Sequence, residues 1–280
     1  MSYQTIIVYL DNQNHASKLL ESAASIAHRH NAHLVGLYVV PPLHFYVSSE
    51  VPLPVEMIDH HQGYHRSLSE ALHAQFETVV ARHGIKAEWR EIDAENRSVA
   101  DSISEMARTA DLIVMQQRDT SAGDAELSGL PEGVVLNCGR PVLLVPINGS
   151  AESVDSDVLV AWDGSSESTR AVFDALPLLQ KAGLVTVHQI NTAEEDRHRL
   201  LSHPAELVST LSRHGVNATL SHSDARNGDV GGELIAVARD NRASLLVMGA
   251  YGRSRFSELL FGGATRTVLR SMTFPVLFSH

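Results

Sequence analysis

Four glycines close to the C-terminus, Gly249, Gly252, Gly262 and Gly263, follow one apolar run, and Asp163 follows another through Ala161 and Trp162. Glycine permits positive φ and lets backbone N–H groups come close to a ligand. A set of unpaired N–H groups ahead of a helix N-terminus favours an anion, phosphate above all. Asp163 is placed to accept bonds from sugar hydroxyls, and equally to cap the helix expected after Gly164-Ser165-Ser166. Arg253 adjoins the glycines and is the candidate phosphate contact; Arg255 reads more readily as a solvated charge.

These residues need strands and helices to hold them, and the chain supplies the elements twice. Tyr9-Leu10-Asp11 is answered by Ala161-Trp162-Asp163, and Arg82-His83-Gly84 by Arg213-His214-Gly215. Ile113-Val114-Met115 is answered by Leu246-Val247-Met248, and Pro141-Val142-Leu143 by Pro275-Val276-Leu277. The order is kept, so the chain is an internal duplication, with extra residues early in the first copy. Those extras fall in a Pro-rich stretch, Val40–Met57, within an insertion over about residues 41–63 that is expected to be a loop or flap. The expected domains are residues 1–147 and 156–280, with the polar stretch Asn148–Asp157 as linker.

Strand-like runs in the second copy fall at Val158–Trp162, Leu184–Ile190, Ala218–Ser221, Leu245–Met248 and Pro275–Phe278. Between them lie segments of helical period, such as Asp229–Asn241, with Asp229 as the expected N-cap. Apolar strands alternating with helices imply an α/β fold: two tandem doubly wound domains, each with a five-stranded, mostly parallel sheet. Ligands of such sheets bind beyond the carboxyl ends of the strands, where the strand order reverses. The glycines and Asp163 are expected at that place.

Composition removes several function classes. With 280 residues, a net charge of −11 and acidic residues in excess, the chain offers no general surface for nucleic acid or an anionic membrane. No apolar stretch approaches the length of a membrane span and no signal peptide is visible, so a cytoplasmic setting is expected. The single cysteine, Cys138, reads as a small core residue. Among the sixteen histidines, His61 and His65 share a helical face, but no acidic or cysteine partners complete a metal site. His28, His30 and His33 are expected to decorate a helix end. The dinucleotide, P-loop and nucleophile-elbow motifs are all absent.

At its second copy the sequence resembles the universal stress protein family, in a tandem two-domain form. The family signature runs glycine, two residues, glycine, nine residues, then glycine and a serine or threonine. Gly249, Gly252 and Gly262 fall on the three glycines, and Gly263 stands at the hydroxyl position, a departure that leaves Thr265 as the nearby replacement. The resemblance places Asp163 at the acidic position, Ala161 two residues before it and Met248 ahead of the glycines. It places Gln189 at the adenine-facing position, usually small and apolar, and includes Arg253 and Ala264 in the phosphate loop region. In the first copy Asp11 is retained, but Gln116 and Asp119 replace two glycines, so that copy resembles the family in fold only and is expected to hold no nucleotide.

The resemblance implies a cytoplasmic stress-response regulator whose second domain binds an adenine nucleotide, ATP foremost, with AMP and ADP as alternatives and Mg²⁺ accompanying the nucleotide. It implies an intramolecular pseudo-dimer of the two domains through their final strands, with a homodimer and an unidentified protein partner left open. No catalytic apparatus is visible beyond slow ATP hydrolysis by family relation. Two other readings stand beside it: a nucleotide-free interaction protein of the same fold, and an ATP-using adenylating enzyme, whose paired-glycine loop Asp163–Ser168 lacks.

Overall fold

The computed structural model describes residues 2–43, 55–118, 129–148, 154, 156–191, 203–225, 228–251 and 263–280. The first half runs β1 (Thr5–Tyr9), α1 (Gln13–His30), β2 (His33–Val40), α2 (Val55–His83), β3 (Ala87–Asp93), α3 (Val99–Ala107), β4 (Leu112–Gln116), α4 (Leu130–Asn137) and β5 (Val142–Val145). The second runs β6 (Asp157–Ala161), α5 (Ser166–Asp174), α6 (Leu176–Leu179), β7 (Leu184–Asn191), α7 (Pro204–Arg213), β8 (Ala218–Asp224), α8 (Val230–Asp240), β9 (Leu245–Gly249), α9 (Gly263–Ser271) and β10 (Val276–Ser279).

The strands form one sheet in the order β3-β2-β1-β4-β5-β10-β9-β6-β7-β8. Every pairing within a half is parallel, and the halves join through the antiparallel pair β5–β10, with Leu143 opposite Leu277. This is the doubly wound α/β fold in tandem, each half supplying five strands. The strands are apolar on both faces because helices cover both: Ile6 and Val8 join the core beneath α1 and α2, while Ile7 and Tyr9 join the core beneath α3 and α4. In the second half α5, α6 and α7 cover one face and α8 and α9 the other.

Several local expectations meet the coordinates directly. Asp229 caps α8, its Oδ1 accepting the Gly232 N–H at 2.9 Å. Cys138 is buried. Val154, ahead of β6, is buried in the core. No helix among the described residues is long and apolar enough to cross a membrane.

Two expectations require correction. The insertion is not all loop: α2 starts at Val55, so residues 55–63 are helical, while 44–54 lie outside the described residues. The stretch after Pro54 carries no proline, and Gly63 alone interrupts its helix formers. His28 and His30 do stand in the last turn of α1, but His33 opens β2, because Asn31 in the left-handed region ends the helix before it. His61 and His65 share a face of α2 with rings 4.4 Å apart, and His65 Nδ1 lies 2.6 Å from the Tyr38 hydroxyl. No group of three metal-ligating side chains occurs among the described residues.

Candidate functional site

In the second half the strand order reverses between β6 and β9, and a cavity of about 260 Å³ opens there, at the carboxyl ends of β6, β7 and β9. Ala161, Ile190, Val230, Leu234 and Met248 give it a mostly apolar lining. Asp163, Ser165, Glu167 and Ser168 form one side of the mouth, and Tyr251, Gly263, Ala264 and Thr265 the other.

The first side is built by the turn from β6 into α5. Gly164 sits at φ 75°, a conformation open to glycine, and so reverses the chain at once. Asp163 Oδ1 accepts the Ser165 N–H at 2.9 Å and the Ser165 hydroxyl at 2.6 Å. Ser165 in turn caps α5, its Oγ accepting the Ser168 N–H at 3.1 Å. The cap is therefore Ser165, not Asp163. Asp163 holds the cap in place with one oxygen and keeps the other for the solvent-facing mouth.

Gly249 has a packing reason to be glycine. A Cβ there would lie 2.6 Å from both the Glu167 carbonyl carbon and the Ser168 nitrogen, so only a bare backbone lets α5 approach the end of β9. At Gly263 a Cβ would meet nothing within 4 Å. The second side of the mouth is the N-terminus of α9. Thr265 is buried, and its Oγ1 accepts the Tyr251 N–H at 3.4 Å. The helices α5, α8 and α9 thus all start at the cavity, α5 and α9 at its mouth, and the positive ends of their dipoles favour negative charge there. Against that stand the carboxylates of Asp163 and Glu167; no lysine or arginine occurs among the described lining residues.

His188 is the polar group of the inner wall. It is buried, with Nδ1 2.7 Å from the Ser221 hydroxyl and Nε2 3.1 Å from the Ser223 hydroxyl, both on β8. Burial pushes its imidazole below the ordinary histidine range; Glu233 opposes that and His222 adds to it. His188 thus lines the cavity with both ring nitrogens engaged. Burial likewise raises the Tyr251 phenol, and Glu132 of α4, from the first half, raises it further.

Of the residues singled out from sequence, Ala161, Asp163, Met248, Gly249, Gly263, Ala264 and Thr265 line this one cavity. Gly252, Arg253 and Gly262 lie outside the described residues. Gln189, placed by the resemblance at the adenine-facing position, is not among the described residues that line the cavity. Successive strand residues alternate between faces, and on β7 it is His188 and Ile190 that turn to the cavity, while Val187 packs into the opposite core. His188, Trp162, Glu167 and Tyr251 were missed. Alternation along β7 carried the signal for His188.

The first half presents the same strand ends differently. The registers set Tyr9 beside Leu37 where Ala161 lies beside His188. The matching ends of β4 and β9 place Gln116 at the position of Gly249, and Arg118 at that of Tyr251. Tyr9 is buried, and the Arg118 guanidinium pairs with Asp11. Burial raises the Asp11 carboxyl, and Arg118 pulls it back. Asp119, expected to oppose phosphate, lies outside the described residues; an aromatic ring and an ion pair occupy this end of the sheet instead.

Comparison with known proteins agrees with this architecture. The universal stress protein family model matches residues 2–146 and again 156–280. A universal stress protein of Synechocystis is 25% identical over 187 residues, 63% of this chain and 60% of that protein, so the match spans less than two thirds of the relative. A universal stress protein structure from Archaeoglobus fulgidus superposes with a TM-score of 0.74 at 17% identity, covering 98% of this chain and 95% of that one. A functionally unknown protein from Pseudomonas aeruginosa gives 0.61 at 16% identity, covering 99% and 92%. Duplicated sequence, ten-stranded sheet and two family matches lead to one conclusion: the chain belongs to the universal stress protein family, in its tandem two-domain form.

Proposed function

We propose that the protein is a stress-response regulator whose second half binds an adenine nucleotide, ATP with Mg²⁺, while its first half binds none. The observation that carries this is the cavity at the strand reversal, mostly apolar within and flanked at its mouth by two helix N-termini and the fixed Asp163 carboxylate. At about 260 Å³ the cavity lies below the usual ~300–1,000 Å³ of small-molecule pockets. It suits a base and part of a sugar, with phosphates outside at the mouth. The base would lie among Ile190, Val230, Leu234 and His188. Asp163 would take ribose hydroxyls. The two mouth carboxylates explain why the phosphates would arrive with Mg²⁺ rather than bare.

Trp162 lines the cavity and reports the test. MgATP is expected to change Trp162 fluorescence saturably. Asp163→Asn keeps the acceptor for Ser165 but removes the charge, and should weaken binding about tenfold, the worth of one charge-assisted contact. Asp11→Asn should hold affinity within about threefold and lower stability by about 1–3 kcal/mol, by stranding Arg118. Equal effects of the two substitutions on binding would defeat the assignment.

One observation favours the nucleotide-free alternative: the Thr265 hydroxyl, the expected substitute for the one missing at Gly263, is buried and already bonded to the Tyr251 N–H. Under that reading MgATP leaves Trp162 fluorescence unchanged at millimolar concentration.

A further inference from the structure

Helix α9 has one end in the cavity and the other in the grip of the first half. Gly263, Ala264 and Thr265 line the cavity. In the last turn, the Leu269 and Arg270 carbonyls have no partner within the helix. Gln117, which follows β4 of the first half, supplies one: its Nε2 donates to the Leu269 carbonyl at 2.8 Å and to the Arg270 carbonyl at 3.4 Å. Its Oε1 accepts the Ile147 N–H at 3.1 Å, and its own N–H donates to the Val145 carbonyl at 2.8 Å. The side chain is buried, so an amide satisfied at both ends fixes α9 to the end of β5.

The helix between these ends is short and tightly seated. A Cβ at Gly231 of α8 would come within 2.6 Å of the Thr267 Cβ and 2.9 Å of the Ala264 carbonyl, so α9 packs closely on α8. Close-packed interiors pass a displacement on rather than absorb it. The residue after Gln117 is Arg118, whose guanidinium holds Asp11 in the first half's counterpart of the cavity. The tie runs one way: the second half has Ala250 where the first has Gln117, and alanine has no amide to offer α4.

We propose that α9 carries occupancy of the second half's cavity to the first half, through the Gln117 amide at its C-terminal end, so that the Arg118–Asp11 pair and the chain leaving β5 respond to what the cavity holds. This rests on the nucleotide reading above. The two sites are the cavity and the Asp11–Arg118 end of the sheet, and the linkage between them is reciprocal.

Hydrogen–deuterium exchange with MgATP tests it on the full chain, beside Trp162 fluorescence as the binding readout. In the unmodified protein MgATP should slow exchange about threefold or more at residues 263–271 and also at 112–118 and 142–147. In Gln117→Met, which fills the space without a donor, slowing should persist at 263–271 and vanish in the first half, with affinity held within about threefold. Gln117→Asn, one methylene short of α9, should behave alike and serves if the methionine variant melts early. First-half amides that ignore MgATP while 263–271 slow, or first-half slowing that survives both substitutions, would overturn the proposal and leave the nucleotide reading standing. No fluorescence change and no slowing anywhere would overturn both.

Discussion

The ends of β1, β2 and β4 and the ends of β6, β7 and β9 are the same place in two copies of one fold, yet a cavity opens at the second while buried Tyr9 and the Arg118–Asp11 pair stand at the first. Where the second half has Ala161, the first has Tyr9; where the second has Gly249, the first has Gln116; where the second has Tyr251, the first has Arg118. The aspartate is common to both. Asp163 buttresses a helix cap and faces solvent, while Asp11 is held by a guanidinium within its own half. The same acidic residue is thus put to two different uses. What decides is the volume of the neighbouring side chains and whether the carboxylate is already spoken for.

The sharpest way to break this contrast is to put the first half's side chain into the second. Ala161→Tyr should fill the cavity and weaken MgATP about a hundredfold or more, with a melting temperature within about 5 °C of the parent. Binding that survives would place the ligand elsewhere. A smaller loss, about tenfold, is expected from Gly249→Ala, because its Cβ would collide with the backbone at Glu167 and Ser168 and push α5 away from the mouth. The same strain should lower stability by about 1–3 kcal/mol. Gly263→Ala meets nothing within 4 Å and should stay within about 0.5 kcal/mol of the parent in stability, so a chemical melt of both variants separates the close-packed glycine from the one with open space around it.

The smallest effect concerns pH. Burial lowers the His188 pKa in the folded chain, so as pH falls below about 6.5 the unfolded chain binds protons preferentially and the fold loses stability. That contribution is complete above about pH 6.5. His65, lowered by its own burial beside His61, acts in the same direction in the first half. Melting temperatures from pH 7 to pH 5 should therefore fall less steeply in His188→Gln, with the remaining slope reduced again by His65→Gln. An unchanged slope would mean that His188 is as readily protonated folded as unfolded.

Much of the scaffold could be read from residues alone. Duplicated apolar runs and helical spacing located the strands, and Asp229 its cap, because burial on both faces leaves a plain mark in composition. The family signature located the cavity through Ala161, Asp163, Met248 and Gly249. Other features depended on geometry that sequence does not express. Whether His188 or Gln189 faces the cavity turns on a one-residue choice of face in a strand that carries polar groups on both sides. That Asp163 supports Ser165 rather than capping α5 follows from a turn set by Gly164. The Arg118–Asp11 pair joins residues 107 positions apart, and Gln117 reaches α9 across 152, so neither contact leaves a local pattern.

The most direct measurement is calorimetric titration of the intact, nucleotide-stripped chain with ATP and Mg²⁺. Binding by the second half alone predicts one site per chain, abolished by Ala161→Tyr. Two sites per chain, or a single site indifferent to that substitution, would contradict it.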